Sequence, residues 1–311
     1  MNDSIIVLTL AAAIISGTPL IFAGIGGVIG ERSGVLNLGM EGMMLIGAVG
    51  AFLINSDTGS PTISFIAAGI AGALLALIHA GLTISLRANQ IVSGLALTIF
   101  GTGLANFIGT PIEGQRLRTS LGHFNIPLLR DLPVLGPIFF EQDLLVYLSW
   151  VLAILGSLYL HRTRTGLAMR AVGESPATAD AMGIRVAATR YVHVAIGGIM
   201  AGFGGAYVVL RIVPSWSQAG TIAGLGWIAL ALVVFAGWRP IRVILGAYIF
   251  GIALQANFAL QAANINLIPA EFLAMLPYLL TVGILVVLTA SRRDRAGAPA
   301  ALGVPFIRDE R

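Results

Sequence analysis

Nine runs of apolar residues follow one another along the chain, at about 4–29, 35–54, 62–86, 91–110, 144–161, 191–212, 219–237, 241–262 and 270–290. They are of the order of the roughly twenty residues a helix needs to cross the apolar core of a bilayer. Two long polar connectors, 111–143 and 162–190, interrupt the series, and the tail from Ser291 is rich in Arg, Ala and Pro without a clear period. The pattern predicts an all-α fold, a polytopic membrane bundle of about nine or ten helices. Residues 1–290 would form the transmembrane domain, 162–190 its long polar loop, and 291–311 a loosely ordered tail.

Composition narrows the chemistry. Hydrophobic residues make up 57% of the 311, charged residues only 10%, and mean hydropathy is +0.91. A soluble domain carries about a quarter charged residues. All 18 basic residues are arginine. Without lysine the chain holds no Walker A loop and no Schiff-base amine. Without cysteine it has no disulfide, thiolate metal site or thiol nucleophile. Neither an H-x-x-x-H pattern nor a paired-carboxylate set occurs, so metal-assisted or hydrolytic chemistry has no support and the chain is not read as an enzyme. Met1-Asn2-Asp3-Ser4 carries an acid and no basic n-region, which predicts a first helix that is retained.

The net charge of +4 and pI near 10.0 would suit a polyanion, but the arginines sort by loop instead. With 162–190 cytoplasmic, alternating spans leave only Arg116, Arg118, Arg130 and Arg211 outside, and the other fourteen of the 18 lie inside. The positive-inside rule then gives N-out, C-in, with membrane lipid rather than nucleic acid as the surroundings. Trp216 and Trp238 fall where interfacial aromatics are expected. Small-residue pairs four apart, Gly26/Gly30, Gly198/Gly202, Gly220/Gly224 and Ala247/Gly251, predict close helix crossings.

Gly30 to Met44 is no ordinary lipid-facing helix, because it opens with Glu31 and Arg32 and contains Asn37, Glu41 and glycines at 34, 39 and 42. Those glycines allow unwinding, which a membrane tolerates only where the backbone is buried in protein or lines water. Glu41 falls near mid-bilayer, where an acid is costly. It is either a buried structural acid bonded to a neighbouring helix or a pathway group, and the same choice holds for Asn37. Asn89, Gln90, Asn106, Gln255, Asn257 and Gln261 are the other amides in spans, with Trp227, Phe235 and Phe258 nearby. Amides and aromatic faces suit a neutral polar solute, although each amide alone is better read as interhelical glue. From these residues the candidate translocation pathway is Asn37, Glu41, Asn106, Trp227, Gln255 and Asn257. His79 and His193 read as packed or capping residues.

The 162–190 loop holds the second informative stretch. Ser175 is a good N-cap, Pro176 suits the first helical position, Ala177 to Met182 favour helix and Gly183 stops it. A short exposed helix of small residues is what docking into a partner's groove requires.

At these stretches the chain resembles a permease of an ABC importer, from the branch that carries simple sugars, branched-chain amino acids and nucleosides. GERSGVLNLGMEGMMLIGA (30–48) resembles that family's first signature in its nucleoside-branch form. RTRTGLAMRAVGESPATADAMGI (162–184) resembles its cytoplasmic coupling loop, and GWIALALVVFAGWRP (226–240) a third motif. The resemblance spans nearly the whole chain. It implies a permease dimer, the second subunit identical or paralogous, bound to ABC ATPase subunits that hold ATP and Mg, and served by a periplasmic or lipid-anchored substrate-binding protein. It implies no cofactor on this chain and a multi-pass place in the bacterial plasma (inner) membrane. Coupling to the ATPase would fall on Gly173, Glu174, Ser175, Pro176, Ala179, Asp180 and Gly183. Sugar permeases of this group often have an extra N-terminal segment, and the short lead here would favour the nucleoside-type permease. Nucleosides come first as substrate, ribose-type sugars second, branched-chain amino acids third. An ion-coupled secondary transporter, with Glu41 as its acid, is the reading from another class.

Overall fold

The structure, a computed structural model, describes residues 3–124, 127, 129–218, 220–262, 269, 272–273, 275–290 and 297–307, with backbone alone at 3, 4, 257, 258, 261, 262, 285 and 287–290. The helices are α1 (Asp3–Arg32), α2 (Met40–Thr58), α3 (Pro61–Ala80), α4 (Gln90–Gly109), α5 (Leu144–Arg162), α6 (Arg164–Glu174), α7 (Pro176–Ala181), α8 (Val186–Tyr207), α9 (Leu225–Phe235), α10 (Pro240–Ala262) and α11 (Leu276–Ala290). Wide π-helical turns, Gly81–Ser85 and Val208–Ile212, extend α3 and α8. No strand occurs among the described residues; a single antiparallel bridge pairs Arg116 with Ser215. The protein is an all-α polytopic membrane bundle.

Each apolar run carries a helix, and among the described residues five helices are long and apolar enough to cross a membrane. The seventh run does not make a full helical span. Its helix, α9, has 11 residues, about 16 Å at 1.5 Å per residue, against an apolar thickness of about 30 Å. Before it, the described residues 213–218 and 220–224 are irregular chain.

Burial sorts the helices. Around the middle of α1, Leu20, Ile21, Phe22 and Ala23 are all fully buried, so this helix is apolar on every side and sits at the centre. It packs against α8, α10 and α9, while α2 lies against α3, α8 and α4. The outer helices show large apolar side chains outward, among them Ile70, Leu74, Ile99, Phe107 and Leu155. That belt is the surface a lipid phase would cover.

Glycine sets the closest approaches. A Cβ at Gly202 would run into the Ala68 carbonyl, one at Gly72 into the Gly198 carbonyl, and one at Gly251 into the Ala13 carbonyl. Backbones in contact gain packing where lipid gives no hydrophobic drive between helices. The Gly220/Gly224 pair is different: nothing but the Ser217 hydroxyl comes near Gly220, and Gly224 has φ +84 at the start of α9. Trp216 and Trp238, expected at the depth of the membrane interface, are buried within the protein.

The end of the bundle that carries α6 and α7 is called the α7 end below. At that end residues 297–307 pack against the bundle, with Ala301 only 7% exposed. The loosely ordered tail read from composition therefore does not describe these residues; 291–296 and 308–311 lie outside the described ones.

Candidate functional site: two interrupted helices and the α6–α7 loop

Two helices begin inside the bundle rather than at its surface. The chain leaves α1 at Arg32, turns through Ser33–Gly34 and runs without helix to Gly39 before α2 starts at Met40. Gly34, at φ +87, makes the turn in a conformation that a β-carbon disfavours. Of the three glycines expected to unwind the segment, Gly34 and Gly39 lie in it or cap its end. Gly42 is helical, packed where a Cβ would meet the Leu97 carbonyl at 2.7 Å.

Backbone without helix must find partners when it is buried. Here α3 and α4 supply them. Gln90 Oε1 accepts from Leu36 N at 2.6 Å, His79 Nε2 donates to the Leu36 carbonyl at 3.0 Å, and Thr98 Oγ1 donates to the Leu38 carbonyl at 2.8 Å. Asn37 Oδ1 accepts from Gly39 N at 2.8 Å, and its amide nitrogen reaches Met43 Sδ. Asn37 also lines a crevice of ≈ 10 Å³ with Glu31 and Met40, about the size of one water. His79 has Nδ1 3.0 Å from Ser93 Oγ, so both ring nitrogens are engaged.

The second interruption ends where α2 begins. Glu41 Oε1 accepts from Gly224 N at 2.9 Å and Oε2 from Gly226 N at 2.7 Å. These amides open α9, where N–H groups have no intrahelical partner and the helix dipole favours negative charge. One carboxylate thus joins the first turns of α2 and α9 inside the bundle. Gly226 is required there, since a Cβ would approach Glu41 N and Cα to 2.5 Å. At the other end of α9, Trp238 Nε1 donates to the buried Glu31 at 2.6 Å and Arg32 Nε to the Trp238 carbonyl at 3.2 Å.

The family described as "Branched-chain amino acid transport system / permease component" matches residues 9–286. The chain belongs to this permease family. It is 39% identical over 312 residues to the nucleoside ABC transporter permease protein NupC of Lactococcus lactis subsp. cremoris, covering 97% of each chain. It is equally, 39%, identical over 322 residues to the guanosine ABC transporter permease protein NupQ of Bacillus subtilis, covering 99% of this chain and 98% of that one. A provisionally named glucose ABC transporter permease protein, TsgC13 of Haloferax volcanii, is also 39% identical over 318 residues, covering 94% and 95%. The permease is therefore a multi-pass membrane subunit of an ABC transporter.

In this permease α7 has the expected form. Ser175 caps it by accepting from Thr178 N at 3.4 Å, Pro176 opens it, and Gly183 follows it at φ +82. The sequence reading missed α6, whose cap is Thr163 accepting from Gly166 N at 3.0 Å. The residues carried over for coupling divide. Gly173 and Ala179 point inward, Ala179 packing with Val172 and Val186. Ser175, Pro176 and Asp180 are half-buried, and Glu174 and Gly183 are exposed. The rest of the outward surface is Ala177, Thr178, Ala181 and Met182, the last 79% exposed, none of which was carried over as a coupling residue.

The pathway candidates do not form one cluster. Glu41 lies at the start of α9, where Trp227 is 40% exposed. Asn106 lies toward the opposite end of α4; its carbonyl accepts from Gln218, and its buried Oδ1 has no partner among the described residues. Gln255 donates to Ser16 Oγ, joining α10 to α1. Asn257 is a helical position of α10 whose side chain lies outside the described ones. A group the sequence reading overlooked sits at the end away from α7. Asp143 is fully buried, caps α5 through Leu145 N and Val146 N, accepts from Tyr207 at 2.6 Å and pairs with Arg211 at 3.4 Å. Its polarity alone placed it in a loop, and only the fold brings Arg211 to it. Among the described residues no three His, Asp or Glu side chains gather as a metal site would need.

Proposed function

We propose that this permease imports nucleosides by alternating access, driven by ATPase subunits that dock on α7. The observation carrying the coupling part is α7 itself, a capped two-turn helix with Ala177, Thr178, Ala181 and Met182 outward and few charges. A short apolar face on a loop outside the bundle suits a partner's groove. In this reading ATP and Mg belong to the partner, in keeping with the absent lysine, and the chain carries no cofactor. The functional unit is a pair of permeases with their ATPases and a periplasmic or lipid-anchored binding protein, in the bacterial plasma membrane. The α7 end is cytoplasmic and the N-terminus outside; 1–290 is the transmembrane domain, 162–190 its coupling loop, and 291–311 the cytoplasmic tail. Asn37, Glu41 and Trp227 border the solute path near its middle, with Asn106 toward the outer mouth.

The nucleoside assignment is supported by the names of two relatives and by the form of the 30–48 segment. The glucose relative at the same identity keeps a sugar as the second reading. Uptake of labelled guanosine or uridine into cells expressing the complete transporter tests it. Competition by unlabelled nucleosides but not by glucose or ribose is expected, and the reverse selectivity would replace nucleosides with sugars. Gly183→Pro cannot adopt φ +82, so it should stop uptake while leaving insertion intact.

A further inference from the structure

Four parts of the chain that are remote in sequence meet at the α7 end. The Gly34 turn, Gly173 at the close of α6, the buried Arg190 of α8, and the segment 297–307 come within contact distance of one another. From the Cβ position of Gly34, Arg190 Nη2 is 3.0 Å away, Gly173 Cα 3.4 Å and the Ala301 carbonyl 3.5 Å. A Cβ on Gly173 would strike the Arg32 carbonyl and lie 3.3 Å from Pro299.

The C-terminal segment holds this junction by directional bonds. Ala301 N donates to the Gly173 carbonyl at 2.9 Å, and Ala300 N to Glu174 Oε2 at 3.3 Å. Arg190 Nη1 donates to the Val304 carbonyl. Farther along, Phe306 packs on Val172, Ala179 and Val186, the apolar cluster that seats α7. Farther back, Gly297 lies beside Gly237 and Trp238, where α9 ends. A tail without function would not be expected to spend backbone bonds on the one loop that faces a partner.

We propose that residues 297–307 are a positioning clamp that fixes the α6–α7 loop to the glycine turn at 33–34. A displacement of α7 is then passed to the irregular 33–39 segment, and through Glu41 to the first turn of α9. The clamp rests on the reading of α7 as the ATPase contact. Without the tail, the loop keeps the close approach of Gly173 and the attraction between Glu174 and Arg32 but loses these bonds, and part of the motion of α7 is lost in the loop.

The test uses the assembled transporter in lipid nanodiscs and proteoliposomes, with three variants. The first ends the chain at residue 296. The second, Ala301→Pro, removes the N–H given to Gly173. The third, Ala301→Ser, keeps it. Truncation and Ala301→Pro are expected to leave ATPase co-purification and basal hydrolysis near wild type while lowering solute moved per ATP by about tenfold, within the range of ordinary coupling energies. Ala301→Ser should retain wild-type stoichiometry. Unchanged transport per ATP in both disrupting variants would overturn the clamp, as would loss of co-purification, which would make the tail part of the docking surface. Should the truncated chain fail to insert, Ala301→Pro and Phe306→Ala carry the same readout. Gly183→Pro, run in parallel, separates the two ideas: if it leaves uptake intact the α7 reading falls, and if it alone abolishes uptake only the clamp falls.

Discussion

Glu41 shows how one side chain can satisfy a structural need that its sequence position only announces. An acid in an apolar run is costly enough to demand a reason. The reason is a set of unpaired amides 183 and 185 residues away, at Gly224 and Gly226. Replacing it with alanine leaves those donors buried without acceptors, a cost of about 1–3 kcal/mol for each group. Glu41→Ala is accordingly expected to lower the melting temperature of the detergent-purified protein, and Glu41→Gln, which keeps one acceptor, to lower it less. An equal loss for the two variants would contradict the capping role. Asp143 does comparable work at the opposite end. Asp143→Asn keeps a capping oxygen for α5 but leaves Arg211 without its counter-charge, and breaking a buried pair from one side costs about 3–5 kcal/mol. A thermal shift no larger than that of an exposed pair such as Arg130–Asp131 would show that water already screens it.

At the scale of elements, local chemistry was readable and packing was not. Ser175, Pro176 and Gly183 spell out α7 in order, because caps and stops act within one turn. Ser175→Ala should cost about 1 kcal/mol of helix stability. Faster amide exchange at Thr178 and Ala179, with insertion unchanged, is the expected result. The small-residue pairs other than Gly220/Gly224 were also legible, yet which helix each one meets was not. Gly202 faces Ala68 of α3 and Gly47 of α2, so a larger side chain must push two neighbours apart. Gly202→Val is expected to reduce the folded, monodisperse fraction after solubilisation, while the same change at Gly103, which has open space around it, should be tolerated. Hydropathy counted 219–237 as a span because it sums apolar residues without asking where the backbone bonds go. The irregular chain at 220–224 and the short α9 answer that question.

The whole molecule is a central helix, α1, surrounded by helices that expose an apolar belt, with two interrupted helices meeting inside. Its sidedness is proposed from the arginines, and the lack of cysteine makes that proposal directly testable. In otherwise unchanged chains, Thr178→Cys should react with an impermeant maleimide only after the cells are opened. Arg130→Cys should react in intact cells. The reverse pattern would invert the orientation and, with it, the side on which α7 could meet an ATPase.

The sequence by itself determined the class of the protein, most of its helices, the form of α7 and the absence of any lysine or cysteine side chain to act. These follow from composition, periodicity and signals that act over a few residues. Only the tertiary structure decided that Glu41 caps α9, that Asp143 holds Tyr207 and Arg211, that Trp238 is buried on Glu31, and that the tail closes over Gly173 and Arg190. Each of these is a long-range pairing of polar groups removed from water. The energy of such a pairing depends on which partner the fold delivers, and chain neighbours carry no record of that. The 57% of apolar residues that first marked a membrane protein also explains why these few polar contacts matter. Inside such a bundle an unmet hydrogen bond has no water to turn to.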